Sequence, residues 1–231
     1  MTKPDKWYDP TFIRVWDARP ATPLRAEQLD ILATVIRDNY RKGGRILDLG
    51  CGTGRVEQLI LDLLPVARFT SVDRSPAMLD MVRRRLIEYG AQCRLVQCDL
   101  NRLSTTDLPD RPFQFIVSVN MIHELPHPAK CRLFRLCRRV ISRTGLLLIV
   151  DRIALDRRSL SRPYRSALAR LQRIAHTESG EYSSQWANPR TKDDEHPATL
   201  DEYFRWLRAA GFVPGLLHLH CHKALLVASP L

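Results

Sequence analysis

No stretch of this chain approaches the run of about 18 uncharged apolar residues that a membrane-crossing helix needs. Residues 1–9 hold no apolar run either, so no signal peptide is expected, and the two absences together suggest a protein of the cytoplasm. Cysteine is present but unpatterned. Cys51, Cys93, Cys98, Cys131, Cys137 and Cys221 form no C-x-x-C pair and no Cys/His cluster at zinc-finger spacing, so neither a disulfide framework nor a structural metal is expected. Several lie in apolar strand or helix patterns, where a reduced thiol packs as a small hydrophobe. Aromatic residues are scarce too, at 7% of the chain. They do not interleave with the arginines as stacking platforms for nucleic acid require.

That last absence bears on the charge. The chain carries a net +11, with basic clusters at Arg83, Arg84 and Arg85, at Arg132, Arg135, Arg138 and Arg139, and between Arg152 and Arg173. Such a balance suits nucleic acid or an anionic substrate. Without stacking residues, solvated helix faces are the simpler reading, and a nucleic-acid partner is the lesser expectation.

What the chain does have is a regular alternation. At 231 residues, 45% of them hydrophobic, it is long for one average domain and short for two, so one domain spanning 1–231 is expected. Residues 24–40 show helical spacing at Leu29, Leu32, Ala33 and Ile36, closed by Gly43 and Gly44. Strands are expected at 45–49, 68–72, 93–98, 113–119 and 146–150, with helices at 55–63, 76–89 and 129–141 between them. Alternation of this kind builds a parallel sheet with helices on both faces. Thr199-Leu200-Asp201-Glu202 reads as a capping box for a helix ending at Gly211. Two strands follow, around 213–219 and 223–228, joined too tightly to be parallel. The expected fold is therefore α/β: a Rossmann-like, seven-stranded, mostly parallel sheet with a C-terminal antiparallel hairpin. Residues 1–43 form an N-terminal segment and helix. Residues 152–197 are too long for an ordinary connection and carry Leu160, Tyr164, Ala167, Leu168, Leu171 and Ile174 on one helix face. They are expected to form a helical cap insert over the strand ends, where such sheets bind ligands.

The chemistry gathers at those ends. Asp48-Leu49-Gly50-Cys51-Gly52-Thr53-Gly54 lies between a strand and a helix, and its glycines allow a sharp turn and close approach of a ligand. The spacing is G-x-G-x-G, which is neither a dinucleotide fingerprint nor a phosphate loop. Asp48 suits an ammonium group better than a phosphate. Asp73 ends the second strand, where a carboxylate can accept from both ribose hydroxyls. Asp99 ends the third, where it can accept from an exocyclic amine. Three carboxylates on three successive strand ends describe a cationic, adenosine-like ligand.

These residues resemble a known family. The glycine loop, Val72-Asp73-Arg74-Ser75-Pro76-Ala77-Met78-Leu79 and Asn120-Met121-Ile122-His123-Glu124-Leu125-Pro126 are similar to successive motifs of class I S-adenosylmethionine-dependent methyltransferases. Leu207-Arg208-Ala209-Ala210-Gly211-Phe212 is similar to the helix end before that family's final hairpin. The resemblance implies S-adenosylmethionine as cofactor and S-adenosylhomocysteine as product. It places Gly50 and Gly52, with Asp48 and Cys51 of the same loop, at the methionine moiety. It places Asp73, with neighbouring Arg74, at the ribose, Met78 near the adenine, Asp99 and the Leu100 amide on the adenine edge, and Asn120 beside the sulfonium methyl. The chain departs from the Asn/Asp-Pro-Pro-aromatic motif of nucleobase amino methylation and sits closer to the small-molecule branch.

Methyl transfer to an oxygen or nitrogen of a small molecule by in-line displacement is the leading expectation. An RNA methyltransferase using the basic surface and a catalytically silent cofactor-binding scaffold are the alternatives. His123 is the first candidate for a general base, ahead of Glu124 and His127, if the acceptor must lose a proton. It equally suits packing on the helix that follows. His196 and Tyr182 have only their position in the insert to recommend them. His218, His220 and His222 have strand periodicity and read as an exposed edge, not a metal site. Trp7-Tyr8-Asp9 and Trp16 are expected to close over the cofactor. The acceptor itself and the oligomeric state have no signature in the sequence.

Overall fold

In the structure, a computed structural model that describes residues 6–155, 160–174 and 195–231, the chain begins with a helix the sequence did not announce. A single turn at Lys6–Tyr8 leads into α1 (Pro10–Asp17), where Asp9 accepts from the Thr11 amide and Pro10 takes the first position. Phe12, Ile13 and Trp16 share its inner face, but eight residues are too few for that spacing to stand out in the sequence. Then follow α2 (Pro23–Asn39), β1 (Arg45–Leu49), α3 (Arg55–Leu63), β2 (Arg68–Asp73), α4 (Pro76–Arg85), β3 (Cys93–Gln97), β4 (Phe113–Val119), α5 (His127–Val140), β5 (Ile141–Arg152), α6 (Ser161–Ile174), α7 (Leu200–Ala209), β6 (Phe212–His220) and β7 (Lys223–Pro230).

The seven strands form one sheet in the order β3-β2-β1-β4-β5-β7-β6. The first five are parallel, and β7 pairs antiparallel with β5 and β6. Strand alternation divides the core. Leu47, Leu49, Ile116, Leu147 and Ile149 pack beneath α5 and α7, while Ile46, Phe115, Val117, Leu148 and Val150 pack beneath α2, α3 and α4.

The expected elements differ mainly at their ends. Helix α4 stops at Arg85 rather than Tyr89, and a short tighter turn carries the chain through Gly90 at φ 57°. Helix α5 starts two residues early because Pro128 fits its first turn. The capping box of α7 is present in both directions: Thr199 Oγ1 accepts from the Glu202 amide and Glu202 accepts from the Thr199 amide. The histidine run does not share a face. His222 lies in the turn after β6, beyond Cys221 at φ 52°, and is buried.

The inserted segment returns tightly to the strand ends. His196 donates its amide to the His123 carbonyl at 2.7 Å, and Ile153 pairs with Ala198. Helix α6 buries Leu168 against Tyr164, Leu171 and Cys221. Tyr182 and Trp186 lie outside the described residues. Among those described, no helix is long and apolar enough to cross a membrane.

Candidate active site

A cleft of about 840 Å³ opens at the carboxyl ends of β1 to β4. Gly50, Gly52, Asp73, Arg74, Met78, Asp99, Leu100 and Asn120 line it, which brings together eight of the residues singled out from the sequence. Gly50 holds φ 80°, and a Cβ there would lie 2.2 Å from Met121 Cγ, so only glycine fits. The amides of Gly50 and Cys51 both donate to the Val72 carbonyl, tying the loop to β2. At Gly52, φ 56°, a Cβ would enter open space, so the bare backbone faces the cleft.

Asp73 organises the next turn. Its Oδ2 accepts from the Gly52 amide at 3.0 Å and its Oδ1 from the Ser75 amide at 2.8 Å. Each oxygen keeps a second lone pair. Burial pushes this carboxyl up from its ordinary value, while the two amides oppose that shift. Asp99 uses Oδ1 for both the amide and the side chain of Asn101, each at 2.9 Å. Its Oδ2 has no protein partner among the described residues.

Three expected site residues lie elsewhere. Asp48 is buried with both carboxyl oxygens sealed from solvent, so it stands beneath the cleft floor rather than in its wall. The pleat explains this: Leu47 and Leu49 face α5, so Asp48 faces α3 and Glu57. Burial, then the charge of Glu57, pushes Asp48 well above its usual range. Burial also raises Glu57, to about 7. Cys51 is a buried free thiol, raised in the same way, and does not line the cleft.

His123 is the third. It is 1% exposed and absent from the cleft wall. Its Nδ1 lies 2.5 Å from Asp151 Oδ1, and its Nε2 lies 2.7 Å from Arg152 Nη2. A guanidinium can only donate, so Nε2 must be the accepting nitrogen and Nδ1 carries the proton toward Asp151. Burial would push Asp151 up, but His123 beside it, the Arg152 amide and the Tyr203 hydroxyl hold it below the usual carboxylate range. Arg152 continues to Glu195 at 3.2 Å. This geometry corrects the expectation of a base facing the acceptor: the His123 ring is a strut between β5 and the segment after β4.

Other cleft residues had weaker signals or none. Trp7 and Trp16 meet edge to face at 5.6 Å and join Lys6, Arg25, Glu124 and Glu195 in the wall. Burial raises the Glu124 carboxyl. Helix α1 is latched at its end by Asp17, which accepts from Thr53 Oγ1 at 2.5 Å, Arg55 Nε at 3.1 Å and Arg85 Nη2 at 2.7 Å. Asn120 holds a left-handed backbone, φ 53°, and its amide donates to the Val150 carbonyl at 2.7 Å. Its Oδ1 accepts from Lys223 Nζ at 3.2 Å, across 103 residues of chain. No motif links that pair.

Comparison with known proteins agrees with this architecture. A family model described as a methyltransferase domain matches residues 46–145. Over that stretch the chain is similar to methyltransferase domains. It is 33% identical over 108 residues to a malonyl-[acyl-carrier protein] O-methyltransferase of Paenibacillus sp., covering 45% of this chain and 39% of that protein. It is 31% identical over 135 residues to a phosphatidylethanolamine N-methyltransferase of Cereibacter sphaeroides, covering 57% and 61%. The solved structure of PigF with SAH shares the fold, with a TM-score of 0.62 at 16% identity, covering 96% of this chain and 60% of that one. The chain thus spans between about two fifths and three fifths of the length of these relatives.

Proposed function

We propose that this methyltransferase domain binds S-adenosylmethionine in the cleft and transfers its methyl group to an oxygen of a small-molecule acceptor. The arrangement of Gly50, Gly52, Asp73 and Asp99 is the observation that carries the reading. Glycine backbone faces the cleft where the methionine moiety would lie, Asp73 keeps lone pairs for ribose hydroxyls, and Asp99 Oδ2 is open to an exocyclic amine. Leu100 would read the adenine edge and Met78 would pack on its face. The O-methyltransferase among the relatives and the SAH in the structural neighbour support the same assignment.

S-adenosylmethionine supplies an electrophilic methyl group on a sulfonium. The protein's task is alignment and exclusion of water. Trp7 and Trp16 close one side of the cleft, Met121 and Leu125 another, and Asp17 fixes α1 against the glycine loop. The six free cysteines fit a reducing compartment, the cytoplasm. Calorimetric titration tests the reading. Wild-type protein should bind S-adenosylhomocysteine with micromolar affinity, and Asp73→Ala should lose it while remaining folded. Equal affinity in the variant removes the cofactor assignment.

A further inference from the structure

We propose that the acceptor oxygen belongs to a carboxylate, so that the product is a methyl ester. The inference rests on the methyltransferase reading and narrows its substrate class.

Oxygen acceptors divide by whether they must lose a proton. A phenol or alcohol needs a base, because its own pKa is about 10 or higher. A carboxylate is already ionised at neutral pH. Neither histidine positioned after β4 lines the cleft: His123 is buried, its Nδ1–H is directed at Asp151 and its Nε2 lone pair is filled by Arg152, and His127 meets the Trp206 ring. Among the described residues, the carboxylates in the cleft wall beyond Asp73 and Asp99 are Glu124 and Glu195. Glu195 is paired with Arg152, and Glu124 is raised by burial, with His123, Arg74 and Lys6 opposing that rise. A carboxylate remains a weaker base than the oxyanion of a phenol or alcohol, whose pKa is about 10 or higher.

The cleft instead offers donors to an anion. Lys223, 5% exposed on β7, can only donate, so the Asn120 atom that meets it is the carboxamide oxygen. The Nδ2 amide of Asn120 is then turned away from Lys223. It donates to no protein group among the described residues, and Asn120 lines the cleft. A left-handed non-glycine residue costs of order 1 kcal/mol or more, so its placement is held by the surroundings. Lys6, Arg25 and Arg74 line the same space against the two glutamates, and the Lys223 ammonium stands behind Asn120. Cationic side chains are thus at hand to face an anion beside Asn120.

The step balances without a base. A carboxylate lone pair forms the new C–O bond to the methyl carbon as the S–CH3 bond breaks, and its electron pair remains on sulfur. The negative charge of the acceptor and the positive charge of the sulfonium disappear together, and no proton moves. Asn120 orients the attacking carboxylate, and Lys223 acts as a positioning residue through Asn120.

The test does not require the acceptor to be known. The protein is incubated with S-adenosylmethionine tritiated at the methyl group and a deproteinised small-molecule extract of bacterial cells, and the products are treated with alkali. The expected result is label released as volatile methanol, since esters hydrolyse and methyl ethers or amines do not. Lys223→Met should lower kcat/KM for the ester-forming reaction about tenfold, the order of one charge-assisted hydrogen bond. Its S-adenosylhomocysteine affinity should be unchanged, and Lys223→Arg should recover most of the loss. A readout independent of turnover is the 15N spectrum of the His123 ring, which should show protonated Nδ1 and bare, accepting Nε2 with and without S-adenosylhomocysteine. Alkali-stable label overturns the proposal, more sharply still if Glu124→Gln abolishes it. So does release of Nε2 from Arg152 on ligand binding, or absence of labelled product from protein that binds S-adenosylhomocysteine. Failure to bind S-adenosylhomocysteine at all overturns the transferase reading beneath it.

Discussion

Replacing Asp17 with alanine should loosen the entrance of the cleft without unfolding the sheet. One carboxylate serves three partners: the Thr53 hydroxyl of the glycine loop, Arg55 at the start of α3 and Arg85 at the end of α4. Arg85 donates to the Thr53 carbonyl as well, so both sides of that residue are held. The carboxylate is 14% exposed and the two guanidiniums 22% and 32%. Such a pair lies between an exposed one, worth about 1 kcal/mol or less, and a buried one, whose breaking costs about 3–5 kcal/mol. A loss of about 2 kcal/mol is reasonable. Helix α1 buries only Ile13 fully, so beyond Asp17 it is held mainly by the Arg55 bonds to the Arg19 carbonyl. The cost should therefore appear as local undocking that carries Trp7 and Trp16 out of the cleft. Hydrogen exchange should show α1 amides deprotected, and calorimetry should show S-adenosylhomocysteine bound up to about 30-fold more weakly. Unchanged α1 protection together with unchanged affinity would refute the latch.

Three other perturbations follow from the same geometry. Gly50→Ala drives a methyl into the Met121 side chain at φ 80°, so it should abolish S-adenosylhomocysteine binding and destabilise by about 2 kcal/mol or more, measured by denaturant melts. Burial raises Glu57 to about 7 from an ordinary 4.5, so the unfolded state ionises first and stability falls as pH rises from about 4.5 to 7. Glu57→Gln should melt higher than wild type at pH 8, with the difference vanishing below pH 4.5; a pH-independent difference contradicts this assignment. Tyr203→Phe leaves the buried Asp151 short of a 2.9 Å donor and should cost roughly 1–3 kcal/mol in urea, whereas an exposed hydroxyl would cost almost nothing.

The parallel sheet and most of the cleft wall were legible because they rest on local signals. Apolar runs alternate with helical spacing, the turn residues of the glycine loop stand in sequence, and carboxylates end β2 and β3. Asp48 could have been placed better from the same signal, since Leu47 and Leu49 already claim the α5 face of β1. Helix α1 was hidden because its apolar face, Phe12, Ile13 and Trp16, spans only eight residues, too short a window for helical periodicity to declare itself. The pairs that decide the acceptor end are long-range. Lys223 meets Asn120 and Arg152 meets His123 only once β7 has added antiparallel to β5 and the two strand ends lie beside the segment after β4. For His123 the sequence carried two readings, a base or packing on the following helix, and the structure instead buries the ring against Asp151 and Arg152 of β5. Helix α6, expected to roof the cleft, contributes none of the described residues in the cleft wall, whereas Glu195 at the end of the insert does.

The most direct test of the cofactor assignment is a crystal structure of the protein with S-adenosylhomocysteine. The ribose is predicted on Asp73, the adenine between Met78 and Leu100 with its amine toward Asp99, and the homocysteine over Gly50 and Gly52. A ligand bound elsewhere, or an adenosine that leaves Asp73 and Asp99 untouched, would contradict it.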